Sequence, residues 1–234
     1  HLREKVEKVF DRLAPRTFNG MKVLVKPNLL GPFRPELGFC THPEVVRAVV
    51  RACLDRGAKV TVGDNPGHVN RSSTAVAQVT GILDASEGCF SPISDKVVRI
   101  NGAESGLLLT ISKAVLDADY LINVPVFKTH AGTYLSGAMK NLFGYVAGAC
   151  KAQLHLSAPT REQFAEMICD INQVRRPDLH LIDALTALEG NGPTHGGTLR
   201  QVGQILASDN AVAVDSALAA MMGVDPLMLP VQKR

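Results

Sequence analysis

The sequence predicts an α/β protein built as an open, mostly parallel sheet with helices on both faces. Three observations carry that prediction. Short apolar runs rich in β-branched residues, such as 21–26 and 120–126, alternate with longer stretches of helical periodicity. The first strand, helix, strand unit, over 21–62, has the length of a crossover, so its two strands should be parallel. The 234 residues, 46% hydrophobic, suffice for a large buried core, and no composition shift marks a linker, so 1–234 is read as a single α/β domain.

Taken in order, Leu2, Val6, Val9, Phe10 and Leu13 form the apolar stripe of a first helix. Residues 21–26 follow as a strand bounded by Asn19-Gly20 and Pro27. Thr41 is the expected N-cap of a helix whose first turn carries Pro43 and Glu44, and whose buried face is Val45, Val46, Val49, Val50 and Leu54. A strand over 59–62 and a helix over 72–81 come next. The weakly patterned stretch 81–112, with strand-like 96–100 and 107–111, is the expected place of an inserted hairpin or cap. A short helix over 113–117 precedes the clearest buried strand, 120–126. Helices are expected over 136–146 and 160–174, strands over 179–182 and 203–207, and a closing helix over 210–222. Alternation of this kind implies a sheet covered on both faces.

Composition narrows the function. The formal net charge is +3, too small and too evenly spread for a nucleic-acid footprint, and with no Trp and 5% aromatics there is no stacking platform for single strands. A small anionic molecule, held locally, is the expected partner. The apolar stretch 211–224 is interrupted by Asp215, and no segment reaches the roughly 20 uninterrupted apolar residues of a membrane span. A cytoplasmic location is favoured. The chain begins at His1 and stops at Gln232-Lys233-Arg234 directly after an apolar stretch, as a trimmed piece of a longer protein would. Cys40, Cys53, Cys89, Cys150 and Cys169 include no Cys-x-x-Cys pair, so neither an iron–sulfur cluster nor a disulfide framework is expected within these residues.

In open α/β sheets the ligand lies beyond the carboxyl ends of the strands. Five strand ends carry polar groups: Lys26-Pro-Asn28, Gly63-Asp64-Asn65-Pro-Gly-His68, Lys128-Thr-His130, Asp183 followed by Glu189-Gly-Asn-Gly-Pro193, and Ser208-Asp209-Asn210. All five are expected at one edge. Asn, Asp and Gly at such places ordinarily make turns and caps. Lys26 and Lys128 are harder to explain that way, because each directly follows an apolar strand where no turn requires it, and two strand-end lysines suggest an anion. The Ser136-Gly137 entrance to a helix should leave backbone N–H groups free for phosphate or carboxylate, with Lys140 and Asn141 beside them. Neither a Walker pattern nor a strand-linked Gly-x-Gly-x-x-Gly occurs, so standard nucleotide binding is unsupported.

The expected cleft is therefore lined by Lys26, Asp64, Lys128, His130 and Asp183. Its ligand-binding set is Lys26, Asn28, Lys128, Ser136, Gly137, Lys140, Asn141 and Glu189, of which Lys26, Lys128 and the helix start at Ser136-Gly137 would hold the anion. His130 or His42 would move a proton, and Asp64 or Asp183 would orient it. His42, His68, His130 and His195 with Asp64 and Asp183 could alternatively furnish a mononuclear metal site, although no pair has the spacing that fixes ligands on one helix.

The motifs Lys26-Pro-Asn28, Thr41-His42-Pro43, Gly63-Asp64-x-Pro-Gly67, Val124-Pro-x-x-Lys128-Thr-His130, Ser136-Gly-Ala-x-Lys140-Asn141-x-x-Gly144 and Glu189-Gly-x-Gly-Pro193 together resemble the prokaryotic family catalogued as domain of unknown function 362. The resemblance spans about residues 23–223. Members are mostly uncharacterised and often labelled iron–sulfur centre proteins, because many carry a ferredoxin-like segment after this domain. The resemblance implies a [4Fe-4S] cluster and a ferredoxin-like partner domain only for a longer parent chain, since the cysteine-rich segment is missing here. Two readings follow: an enzyme acting on a small anion, or a non-catalytic ligand-binding or redox-partner module of a longer iron–sulfur protein.

Overall fold

The computed structural model describes residues 2–67 and 71–233. Helix α1 (Leu2–Leu13) precedes β1 (Lys22–Pro27), α2 (Pro43–Leu54), β2 (Lys59–Val62), α3 (Ser73–Val79) and α4 (Ile82–Ala85). Then come β3 (Val97–Asn101), β4 (Leu108–Ser112), α5 (Lys113–Leu116), β5 (Tyr120–Val124), β6 (Val126–His130), β7 (Tyr134–Ser136) and α6 (Ala138–Asn141). The chain closes with α7 (Gly148–Ser157), α8 (Arg161–Val174), β8 (Leu179–Asn191), β9 (Gly196–Ser208) and α9 (Ala211–Met221).

The described strands build a mostly parallel sheet in which β2, β1, β5 and β8 are successive neighbours, all parallel. β5 and β6 act as one strand broken at Pro125. Both run parallel along the same side of β8, whose other side is taken by antiparallel β9, and the Pro125 carbonyl accepts the Asp183 N–H at 2.8 Å. β7 turns back antiparallel on the outer side of β6, and β3 and β4 form a separate antiparallel pair. The carboxyl ends of β1, β2, β5 and β6 therefore gather at one edge.

Strand periodicity assigns the faces. Val23 and Val25 of β1 and Ile122 and Val124 of β5 pack with α1, α2, α3 and α4 on one side. Leu24 and Leu121, one residue out of phase, pack on the other side with Phe164, Ile168 and Ile171 of α8 and with Leu142 and Tyr145 of the 3-10 turn after α6. Ile182 and Ala184 of β8 meet Val214 and Leu218 of α9. Burial on both faces is why the central strands read as continuous apolar runs.

Local details differ from the sequence reading. The cap of α2 is His42, whose Nδ1 accepts the Glu44 N–H at 3.2 Å; the Thr41 hydroxyl instead donates to the Val124 carbonyl at 2.7 Å and accepts the Asn28 N–H at 2.8 Å. Thr41 thus ties the end of β1 to the end of β5. The expected helix over 136–146 is one turn of α-helix continued as 3-10, and α7 was not anticipated. The strands expected over 179–182 and 203–207 are halves of a long hairpin. Because β9 is antiparallel, Ser208 lies opposite His180, and Ser208-Asp209-Asn210 sits at the amino edge, away from the other strand ends.

Candidate functional site

A cleft of about 310 Å³ opens at the carboxyl edge, lined by Asn28, Asp64, Asn65, His130, Lys140, Asn141, Phe143 and Lys151 among others. A narrow throat of about 20 Å³ continues from it past Lys128, Ser136, Gly137 and Pro193, sharing Asn28, His130, Lys140 and Asn141 with the wider part.

Beneath the cleft Lys26 is fully buried, its Nζ 2.8 Å from Asp64 Oδ1. The second oxygen, Oδ2, accepts the Leu29 N–H at 2.8 Å. Gly144 passes directly over this pair, where a Cβ would collide with both the carboxylate and the ammonium, so the position requires glycine.

Above the pair runs a chain of side-chain amides. Lys128 Nζ donates to Asn28 Oδ1 at 3.1 Å, Asn28 Nδ2 to Asn141 Oδ1 at 2.9 Å, and Asn141 Nδ2 to Asn123 Oδ1 at 2.8 Å. Asn123 Nδ2 donates to the Ala138 carbonyl at 3.0 Å and lies 3.1 Å from His180 Nδ1. Each amide has its orientation fixed by the next, so Asn28 presents its oxygen, not its nitrogen, to Lys128. Lys128 Nζ also donates to the Phe39 carbonyl at 2.6 Å.

The charge in this cleft is lopsided. Lys26, Lys128, Lys140 and Lys151 approach one another, while Asp64, already paired with Lys26, is the carboxylate that lines the cleft. Burial lowers Lys128 and Lys140 to about 8 and Lys151 to about 7, and for Lys140 the neighbouring Lys128 and Lys26 ammoniums push the same way. Lys151 Nζ donates to the Asn65 carbonyl. Lys140 Nζ faces the Phe143 ring at 5.3 Å and has no hydrogen-bond acceptor among the described residues. His130 accepts the Gly132 N–H on Nδ1 at 3.0 Å, and burial followed by the Lys140 and Lys128 charges lowers it to about 3. The ring is therefore neutral at ordinary pH, with its proton on Nε2, and serves as a hydrogen-bond donor better than as a base.

Of the residues expected here, Asn28, Asp64, Lys128, His130, Ser136, Gly137, Lys140 and Asn141 line the cleft or its throat, and Lys26 lies under its floor. Others do not reach it. Asp183 is buried with Oδ2 on the His42 N–H at 2.7 Å and Oδ1 on the Leu185 N–H at 3.1 Å, so it anchors the start of α2 to β8. His42 is that helix's cap. Glu189 lies on the exposed β8–β9 hairpin, paired with Arg200 at 2.7 Å. His195 packs edge-on against Phe33 and Phe39. His68 lies outside the described residues, among which no cluster of three or more His, Cys, Asp or Glu side chains could hold a metal ion.

The expected free amides at Ser136-Gly137 are also taken. Asp215, reaching from α9, accepts the Ala138 N–H at 2.6 Å and the Met139 N–H at 3.0 Å, so the start of α6 already holds an internal carboxylate. Lys151, Asn65, Phe143 and Asn123 were missed by sequence reasoning. Lys151 sits on the unanticipated α7, and Asn65 passed as a turn residue inside Gly63-Asp-Asn-Pro-Gly67.

Fold and site together define a class: an open α/β protein with a lysine-rich cleft at the carboxyl edge of its sheet. Over residues 23–220 the chain matches the profile described as Domain of unknown function (DUF362), and it belongs to that family. It is 37% identical over 218 residues to the thylakoid-associated protein sll1697 of Synechocystis sp., covering 90% of this chain and 66% of that protein. The chain therefore spans just under two thirds of that relative's length. The structure of the lactate racemase apoprotein from Thermoanaerobacterium thermosaccharolyticum matches with a TM-score of 0.57 at 12% identity, over 92% of this chain and 54% of the other. At that identity the likeness is one of fold. No helix among the described residues is long and apolar enough to cross a membrane.

Two predictions follow from the geometry. Asp215→Ala strands two buried N–H groups and should destabilise the protein by about 2–4 kcal/mol in chemical denaturation, with Asp215→Asn losing about half as much because one acceptor remains. The second concerns pH. Lys151, at about 7 in the folded chain against an ordinary 10.5, binds fewer protons folded than unfolded between those values. Its contribution to stability therefore rises as pH increases through that window. The unfolding free energy of the wild type relative to Lys151→Met should increase from pH 7 to pH 9; a difference independent of pH would show an ordinary lysine.

Proposed function

We propose that the cleft binds a small molecule bearing a carboxylate or phosphate, and that the protein is an enzyme acting on it. The observation that supports this reading is the unbalanced charge: four inward lysines face one carboxylate, and Lys140 lacks any acceptor among the described residues. Buried cations without counter-charge are costly, and nature retains them where a ligand supplies the missing charge.

In this reading Lys128 and Lys140 contact the anion from the throat and the wide part of the cleft. His130 donates its Nε2 proton to a ligand oxygen, and the amide chain fixes the position of Lys128 before the ligand arrives, so little ordering is needed on binding. Lys26 and Asp64 shape the floor. The cleft volume suits a molecule of modest size.

Calorimetric titration with inorganic phosphate and short mono- and dicarboxylates tests the proposal. At least one should bind to the wild type, with Lys128→Met and Lys140→Met each weakening it about ten- to a hundredfold, the cost of losing one charged hydrogen bond. Binding at pH 8.5 should take up protons, because the anion raises the lysines that burial had lowered. Absence of binding by every member of the panel, or equal affinity in both variants, would overturn the reading.

A further inference from the structure

The four lysines of the cleft differ in what holds their nitrogens. Lys26 is ion-paired to Asp64 and fully buried. Lys128 is fixed by the Phe39 carbonyl and by Asn28. Lys151 is bound to the Asn65 carbonyl. Lys140 Nζ has no hydrogen-bond or ion-pair partner among the described residues; it faces the Phe143 ring at 5.3 Å and lies in the wall common to the wide cleft and its throat. Its nitrogen thus has no acceptor to release before it reacts, and three further ammonium groups surround it.

From this arrangement we infer that Lys140 is a nucleophilic amine, forming an imine with the carbonyl carbon of a 2-oxo carboxylic acid whose carboxylate is held by Lys128. The inference rests on the anion-binding reading of the same cleft and names the substrate class. The chemistry requires an unprotonated amine near neutral pH, and burial together with neighbouring ammoniums supplies it: with Lys140 lowered to about 8, a usable fraction is neutral at pH 7 to 8.

The step balances without an external oxidant or reductant. The Nζ lone pair forms the C–N bond as the carbonyl π pair moves to oxygen. A proton lost from nitrogen passes to that oxygen, giving a carbinolamine. The C–O bond then breaks: the hydroxyl departs as water on gaining a second proton, the one the Lys140 ammonium had first released to solvent, and the nitrogen lone pair forms the C=N bond. Ammonium and ketone have become protonated imine and water. The positive charge of the protonated imine stays where Lys140 carried its own, so the carboxylate held beside it keeps its electrostatic partner.

The test uses pyruvate, the smallest ketone with a carboxylate beside its carbonyl. The intact protein is incubated with pyruvate and sodium borohydride, which reduces an imine to a stable secondary amine, and the modified lysine is located by peptide mass mapping. A single reduced adduct on Lys140 is expected. Excess inorganic phosphate should suppress it, and Lys140→Arg should abolish it while keeping a native circular dichroism spectrum. The phosphate competition is performed on the wild type, so the test does not depend on the variant folding. Pyruvate binding without an adduct on Lys140, or labelling spread over surface lysines and insensitive to phosphate, would overturn the imine and leave the anion site standing. No adduct, together with no binding of pyruvate, phosphate or any other member of the anion panel, would overturn both.

Discussion

Lys26 and Asp64 meet at 2.8 Å where solvent does not reach, and the ends of β1 and β2 are held together by that contact. A buried ion pair of this kind seldom adds much to stability, because desolvating both charges offsets most of their attraction. Its value is positional. Removing either partner would leave the other charge buried and alone, at about 3–5 kcal/mol, so the two loops are compelled to stay in register. Asp64 also holds the Leu29 N–H, which sets the path of the chain after Lys26, and Gly144 must cross above the pair without a side chain. The floor of the cleft, the entry into Asn28 and the approach of the segment after α6 all derive from this one contact.

What rests on that floor is a polar network with an excess of donors. The amides of Asn28, Asn141 and Asn123 point in one sequence from Lys128 to His180, and each spends its oxygen on the preceding donor. The network is ordered from within and, being built of neutral amides, cannot neutralise Lys140. Asp215, Asp170 and Asp183 could have supplied negative charge, yet each is committed to backbone N–H groups elsewhere: Asp215 on α6, Asp170 on the turn at Glu104 and Ser105, Asp183 on α2 and β8. The acidic side chains serve the architecture, and the lysines are left for the cleft.

The strands that form the edge were legible in the sequence, because the stretches 23–25 and 121–122 at their centres are buried on both faces and so read as short apolar runs. Lys26 and Lys128 were legible for the converse reason, as charges placed where no turn or solvated face called for one, and Lys140 entered only as a neighbour of the Ser136-Gly137 helix start. Asp183 and His42 misled because a strand-end acid and a loop histidine look the same whether they meet a ligand or a helix's backbone; only the 2.7 Å contact between them decides. Ser136-Gly137 misled in the same way, since the carboxylate that fills the helix start comes from α9, 77 residues later in the chain. Glu189 and 208–210 were misplaced because local pattern does not distinguish a parallel return from a hairpin when the strands are long and half exposed. Lys151 lay on a helix whose apolar residues show little periodicity.

The proposed chemistry depends on Lys140 being a partly buried amine in the cleft wall that lacks a hydrogen-bonded counter-charge until a ligand arrives. The most direct measurement is its titration by nuclear magnetic resonance, with carbon-13 label at the lysine ε position and Lys140→Arg for assignment, in the absence and presence of inorganic phosphate. The account predicts a midpoint near 8 in the free protein, well below the ordinary 10.5, and a rise when phosphate binds. A midpoint near 10.5 in the free protein, unmoved by phosphate, would contradict it and return Lys140 to the status of a solvated surface lysine.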